Sequence, residues 1–236
     1  MFLKNLVENL HSSVYRYTEV LEYLHQRGVT DQNIEEYKVG FNRVVSVVDD
    51  GSEDRKRFME ETNKGKSIEG SIIFPITDVF GRYTGIIGRT LSPKIYRKFF
   101  SSEAKFIGCF FNIEKALPEI YRTGVVFVTE GVFDCIPLAN IIPNTLASLT
   151  VGLTDNQYEF LNFFCKHIVT VFDSDKAGEI ETQKAMRKWN NVFPMKLGSY
   201  KDPSVCRSAM SANEFESFVK KLTERRLTGL VKGGSN

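Results

Sequence analysis

Two short segments hold the residues best suited to chemistry. In TEGVFD (129–134), Glu130 directly follows the apolar run VVFVT, and Asp134 comes four residues later. In VFDSDKAG (171–178), Asp173 and Asp175 directly follow the apolar run IVTVF, with Gly178 just beyond. Glu130 and Asp134 are one helical turn apart and can face the same way. Asp173 and Asp175, two apart in an extended loop, share a face there. If the two runs are neighbouring strands, four carboxylates enter one crevice. Two bare carboxylates ~4 Å apart repel by about 4 kcal/mol at an effective dielectric near 20. Such a cluster takes up a proton or holds a divalent cation. Oxygen-only ligands favour Mg²⁺ or Mn²⁺ over zinc, and Mg²⁺ completes its shell with water and phosphate. The chemistry indicated is phosphoryl or nucleotidyl transfer with one or two metals. Taken alone, a DxD is often a turn or a helix cap, and Asp134 can simply face solvent on its helix. The two motifs together, each after an apolar strand, make the functional reading the stronger one.

Those acids need a scaffold that aims strand ends at one place. From 125 onward the pattern is strand (125–129), helix (131–141), strand (145–149) and a helix from Thr154 to about Cys165, capped by Thr154 or Asp155. Strand 168–172, a helix from about Gly178 to Trp189 and a last strand near 192–197 follow. This alternation predicts an α/β fold: a parallel sheet with helices on both faces and sites outside the strands' carboxyl ends. Upstream, residues 1–27 read as helical, with Leu3, Leu6, Leu10, Val14, Tyr17, Leu21 and Leu24 at three- and four-residue spacings, ended by Gly28. A short helix capped by Thr30 or Asp31 runs through Ile34 and Tyr37 and is closed by Gly40. Residues 49–70 are highly charged and weakly periodic, a mobile connection with one short helix. Strands at 71–76 and 82–91 flank a hairpin-type turn at 78–81. Residues 92–107 read as basic and irregular, and 112–121 as a helix. The domains expected are a mixed α+β subdomain over 1–120, the parallel-sheet domain over 121–205, and a short helical, partly flexible tail over 206–236.

Composition narrows the classes. The 236 residues are 42% hydrophobic, enough for a buried core, and the net charge of +2 excludes a polybasic coat for DNA. Any nucleic-acid surface is a local patch. Residues 88–107 carry Arg89, Lys94, Arg97, Lys98 and Lys105 against Glu103 alone. Tyr96, Phe99 and Phe100 are interleaved and suited either to stacking on bases or to core packing. No apolar run reaches the ~18 residues of a membrane span, and the N-terminus has no signal-peptide core. Cys109, Cys135, Cys165 and Cys206 are scattered, with no CxxC or CxxH. A zinc ribbon is therefore excluded within the chain, and the cysteines read as small core residues in a reducing cytosol.

TEGVFD followed by VFDSDKAG resembles the TOPRIM module of primases, topoisomerases and some nucleases. YLHQRGVTDQNIEEYKVGF (23–41), SIIFPITDVFGRYTGIIGRTL (71–91), RKFFSSEAKF (97–106), FNIEKA (111–116), ASLTVGLTDNQ (147–157) and KDP (201–203) are similar, in order and spacing, to blocks of the catalytic core of bacterial-type (DnaG-like) DNA primases. The resemblance covers about residues 20–220. It implies synthesis of RNA primers from NTPs on a single-stranded DNA template. It implies Glu130 in acid/base chemistry and in contact with metal, Asp173 and Asp175 as ligands of Mg²⁺ or Mn²⁺, and Asp134 in support. Asp202 is a further candidate ligand, and Arg27, Arg89, Lys98 and Lys105 would hold template and nucleotide. The family's acidic loop has a second aspartate where this chain has Ser204. Neither the family's N-terminal zinc module nor its C-terminal helicase-binding domain is found here. The chain then reads as a catalytic core alone, either a natural minimal primase such as a phage encodes or part of a longer chain. The expected setting is the cytoplasm, of a bacterium or of a phage's host. A replicative helicase and a separate zinc-binding protein are the expected partners. The alternatives are a TOPRIM-type nuclease using the same acids and a non-catalytic DNA-binding scaffold.

Overall fold

Leu3, Leu6, Val7 and Leu10 fall on one side of α1 (Phe2–Val14), and that side is buried. The computed structural model describes residues 2–44, 50–101, 104 and 110–233, the last four as backbone only. Lys105 and Cys109 lie outside the described residues. The chain forms two units, 1–109 and 110–236.

In the first unit α1 is followed by α2 (Thr18–Gln26), α3 (Asp31–Glu36), β1 (Gly40–Asn42), α4 (Glu53–Asn63), β2 (Ser71–Thr77), β3 (Tyr83–Thr90) and β4 (Tyr96–Phe100). The strands form an antiparallel sheet in the order β1-β2-β3-β4. The single helix expected over 1–27 is two helices. Arg16 and Tyr17 close a turn onto Ser13 and Val14, and the Ser13 hydroxyl donates to the Leu10 and Phe41 carbonyls. The apolar spacing continues across the break, so periodicity alone cannot register the change of direction. Gly40 does not close α3. It opens β1, where a Cβ would fall 2.6 Å from the Leu10 carbonyl carbon. The charged segment after 49 contains an 11-residue helix, α4, capped by Ser52. Its one buried side chain, Phe58, packs on the Phe2 and Phe99 rings at 5.5 and 5.2 Å. Residues 96–100, expected to be irregular, pair with β3, Arg89 opposite Tyr96 and Gly85 opposite Phe100. This pairing turns Phe99 into the core, out of reach for stacking, and lays the half-buried Phe100 on Gly85. The hairpin turn at 78–81 is as expected: the Asp78 carboxylate accepts from the Phe80 and Arg82 N–H groups.

The second unit contains α5 (Ile113–Thr123), β5 (Val125–Thr129), α6 (Val132–Ala139), β6 (Thr145–Ala147), α7 (Asp155–Phe164), β7 (His167–Thr170), α8 (Lys176–Lys188), β8 (Val192–Pro194), α9 (Pro203–Ser208) and α10 (Ala212–Gly233). Its sheet is parallel, in the order β6-β5-β7-β8, with Val128 opposite Thr170 between the two central strands. Capping sets the helix starts: Thr154 and Gln157 form a reciprocal box on α7, and Asp175 caps α8. The expected division at 120 lies instead at 109/110, because Phe111 pairs with Ala147 and Asn112 donates to the Thr145 carbonyl, tying this segment to β6. Within the expected helical tail, residues 206–208 complete α9 and Ala212–Gly233 form α10. Cys206, Phe215 and Val219 join Phe127, Leu138, Val169 and Val171 in one core. Cys135, Cys165 and Cys206 are buried free thiols. No described helix is long and apolar enough to cross a membrane.

Candidate carboxylate site at the strand ends

β5 and β7 are hydrogen-bonded neighbours, so the residues that follow them emerge side by side. Glu130 continues β5, and its Oε1 accepts a hydrogen bond from the Asp173 backbone N–H at 3.3 Å. Burial, then the charge of Asp173, raises the Glu130 pKa to about 7. Gly131 in extended conformation lets α6 begin at once, and Asp134 sits in its first turn. One Asp134 oxygen accepts from the Ser204 N–H at 3.3 Å. Its carboxyl is held well above the usual range by burial, then by the charges of Asp202 and Asp173.

Asp173 is raised by burial and by Asp202, with Lys201 opposing. Asp175 is lowered by the α8 N–H groups: its Oδ1 accepts from Ala177 and Gly178, each at 3.1 Å. It thus acts as a helix cap while Oδ2 remains turned to Lys201. Gly178 permits the arrangement, because a Cβ there would fall 2.1 Å from the Asp173 carbonyl oxygen. Asp202 caps α9, accepting from the Val205 N–H at 2.7 Å.

The two acidic motifs emerge at neighbouring strand ends. Asp134 is paired with Asp202, and Asp173 with Asp175, while Glu130 lies on the Asp173 backbone. Lys201, absent from the expected set, bridges the second pair, its Nζ 3.5 Å from Asp173 Oδ2 and 3.2 Å from Asp175 Oδ2. Its place immediately before Asp202 was the available signal. Among the described residues, no three His, Cys, Asp or Glu side chains already converge as a metal cage. The donor set nevertheless fits a hard divalent cation. It is all oxygen, and burial and mutual repulsion leave Glu130 and Asp134 short of positive charge.

The expected basic residues lie in the first unit. The Arg27 and Arg89 guanidinium carbons lie 5.5 and 5.0 Å from the Tyr23 ring centroid, and Arg89 also lies 5.6 Å from that of Tyr96. Arg89 donates to the Tyr23 hydroxyl and is 2% exposed, so here it braces two rings. Tyr96 and Lys98 share its face of the sheet through the β3–β4 register, both exposed. Partial burial lowers the Lys98 pKa.

Comparison with known proteins agrees with both units. A Toprim-like family matches residues 127–205. A DNA primase of Staphylococcus aureus (strain COL) is 26% identical over 232 residues, covering 86% of this chain and 37% of that protein. The chain thus spans little more than a third of that relative's length. The zinc-binding and RNA polymerase domains of Aquifex aeolicus primase superpose with a TM-score of 0.73 at 23% identity, covering 93% of this chain and 59% of that one. A DnaG primase catalytic domain bound to single-stranded DNA superposes with a TM-score of 0.70 at 21% identity, covering 93% and 79%. The chain is DnaG-like in fold and sequence, and its second unit carries the Toprim-like domain.

Proposed function

We propose that this DnaG-like chain acts as a primase catalytic core, joining ribonucleotides into short RNA primers on single-stranded DNA by metal-dependent nucleotidyl transfer. The observation that carries the reading is the hydrogen bond between Glu130 and the Asp173 main chain, which brings both acidic motifs to adjacent strand ends. In the reaction, the 3′-hydroxyl of one ribonucleotide attacks the α-phosphorus of the next, and pyrophosphate leaves. Glu130, Asp173 and Asp175, with Asp202, would hold Mg²⁺ or Mn²⁺, which when bound neutralises the triphosphate and leaving group. Glu130, held near neutrality by burial, is suited to accept the proton of the attacking hydroxyl. Asp134 supports the site from α6 and orients the loop through Ser204. Arg27, Lys98 and Lys105 would orient template and nucleotide, which is positioning rather than chemistry, whereas Arg89, expected among them, is buried and braces Tyr23 and Tyr96 instead.

The DNA-bound state of the structurally similar DnaG domain supports single-stranded DNA as the template partner. A separate zinc-binding protein contacting the template and a replicative helicase delivering the strand are the further partners of this reading. The cytoplasm, where DNA and NTPs are found, is the proposed setting. The test supplies single-stranded DNA, four NTPs and Mg²⁺ or Mn²⁺ and resolves the products. Short RNAs that vanish with Asp173→Ala are expected. Degradation of the strand without polymerisation would replace this reading with a nuclease. No product and no metal binding would leave a DNA-binding scaffold.

A further inference from the structure

Lys201 is fixed to the acidic loop twice. Its carbonyl accepts from the Ser174 N–H at 2.7 Å, and its ammonium lies 3.5 Å from Asp173 Oδ2 and 3.2 Å from Asp175 Oδ2. One cation spanning two facing carboxylates is the arrangement a divalent ion shared by Asp173 and Asp175 would also need. Both cannot hold the same oxygens at once, and a divalent ion within a few ångströms of the ammonium would repel it. The side chain is half-exposed and its flexible stem can swing away without repacking the core. Asp202 and Glu130 also face Asp173, so with the ammonium gone the loop would carry uncompensated negative charge.

We propose that Lys201 is a resident counter-ion of the Asp173–Asp175 pair, which a divalent cation must displace, so that this lysine sets the concentration of metal the site requires. The inference rests on the proposed metal-dependent reading and adds a residue that opposes metal entry. It differs in sign from a purely structural role. An ordinary half-exposed ion pair contributes little, and losing it would leave metal affinity unchanged or lower it.

The experiment titrates the intact chain with Mn²⁺ alone, without nucleotide or DNA, by calorimetry and by the Mn²⁺ paramagnetic resonance signal. Mildly alkaline buffer keeps the carboxylates ionised. Lys201→Met, which keeps the stem and removes the charge, is expected to bind Mn²⁺ roughly three- to tenfold more tightly than wild type. Lys201→Arg, retaining the charge, should stay near wild type, and Asp173→Asn should abolish the binding and so identify the site. Circular dichroism of each variant confirms folding. If Lys201→Met binds Mn²⁺ no more tightly at a site that Asp173→Asn eliminates, the counter-ion role is overturned while the metal site stands. If wild type and Lys201→Met both fail to bind Mn²⁺, the metal-dependent reading falls and takes this inference with it.

Discussion

Glu130 Oε1 accepts the Asp173 backbone N–H at 3.3 Å, so the side chain of one strand end is held by the main chain of the next. Glutamine can make the same acceptance through its amide oxygen but cannot take up a proton as a carboxylate does. Glu130→Gln should therefore leave the fold intact while primer synthesis falls by about 10²–10⁴-fold, the usual worth of a positioned general base. Product yield per enzyme, alongside a circular dichroism spectrum matching wild type, checks this. Near-normal yield would remove Glu130 from the chemistry.

Gly178 lies against the other strand end. A Cβ at this position would fall 2.1 Å from the Asp173 carbonyl oxygen and 3.0 Å from its carbonyl carbon. Gly178→Ala must push the first turn of α8 off the loop, moving Asp173 and uncoupling Asp175 from its cap. A loss of about 1–3 kcal/mol in denaturant unfolding is expected, as for overpacking at a tight site, together with weaker Mn²⁺ binding. An alanine variant as stable as wild type would mean that the loop has more freedom than this packing implies.

Both acidic motifs were legible because each directly follows a run of apolar residues, and burial on both faces leaves that run little choice but a central parallel strand. Asp175 shows where such reading stops. Its DxD spacing pointed to metal, yet its Oδ1 caps α8, so the plain and the functional readings are both realised in one side chain. Lys201 was not singled out, because a lysine beside an aspartate in a loop has no periodicity to betray which loop it will meet. In the first unit, β4 was hidden because its sequence, YRKFF, places two basic residues together and then two aromatics, with no period-two alternation. Only pairing with β3 reveals that Phe99 is turned inward. The α1–α2 break was hidden for the opposite reason, since the same apolar spacing serves both helices.

The first unit separates binding from bracing. Lys98 is exposed on β4, whereas Arg89 on the same face is almost wholly buried between Tyr23 and Tyr96. Lys98→Ala should weaken single-stranded DNA binding and reduce the slope of log affinity against log salt by about 0.7, the value for one single-strand phosphate contact. Arg89→Ala should instead lower stability by about 1–3 kcal/mol, through lost packing and the lost hydrogen bond to the Tyr23 hydroxyl. Fluorescence anisotropy over a salt series and thermal melts distinguish the two. A Lys98→Ala salt slope identical to wild type would take that residue out of the interface.

The raised carboxyls fix the direction of a pH effect. Glu130 titrates near 7 in the fold against about 4.5 when unfolded, and burial beside Asp202 raises Asp134 in the same direction. The folded chain then binds more protons than the unfolded chain between these values, so this contribution to stability is complete below about pH 4.5 and declines as pH rises toward 7. In metal-free protein, Glu130→Gln and Asp134→Asn should each melt higher than wild type at pH 8. The gain should be of the order of 1 kcal/mol, allowing for partial exposure, and should shrink toward pH 5. Mg²⁺ should stabilise wild type more at pH 8 than at pH 5, because at the lower pH it competes with protons. Melting curves of the three proteins with and without Mg²⁺ decide the matter. Variants that melt lower than wild type at pH 8 without metal would show that these acids are compensated in the fold, contrary to the repulsion described here.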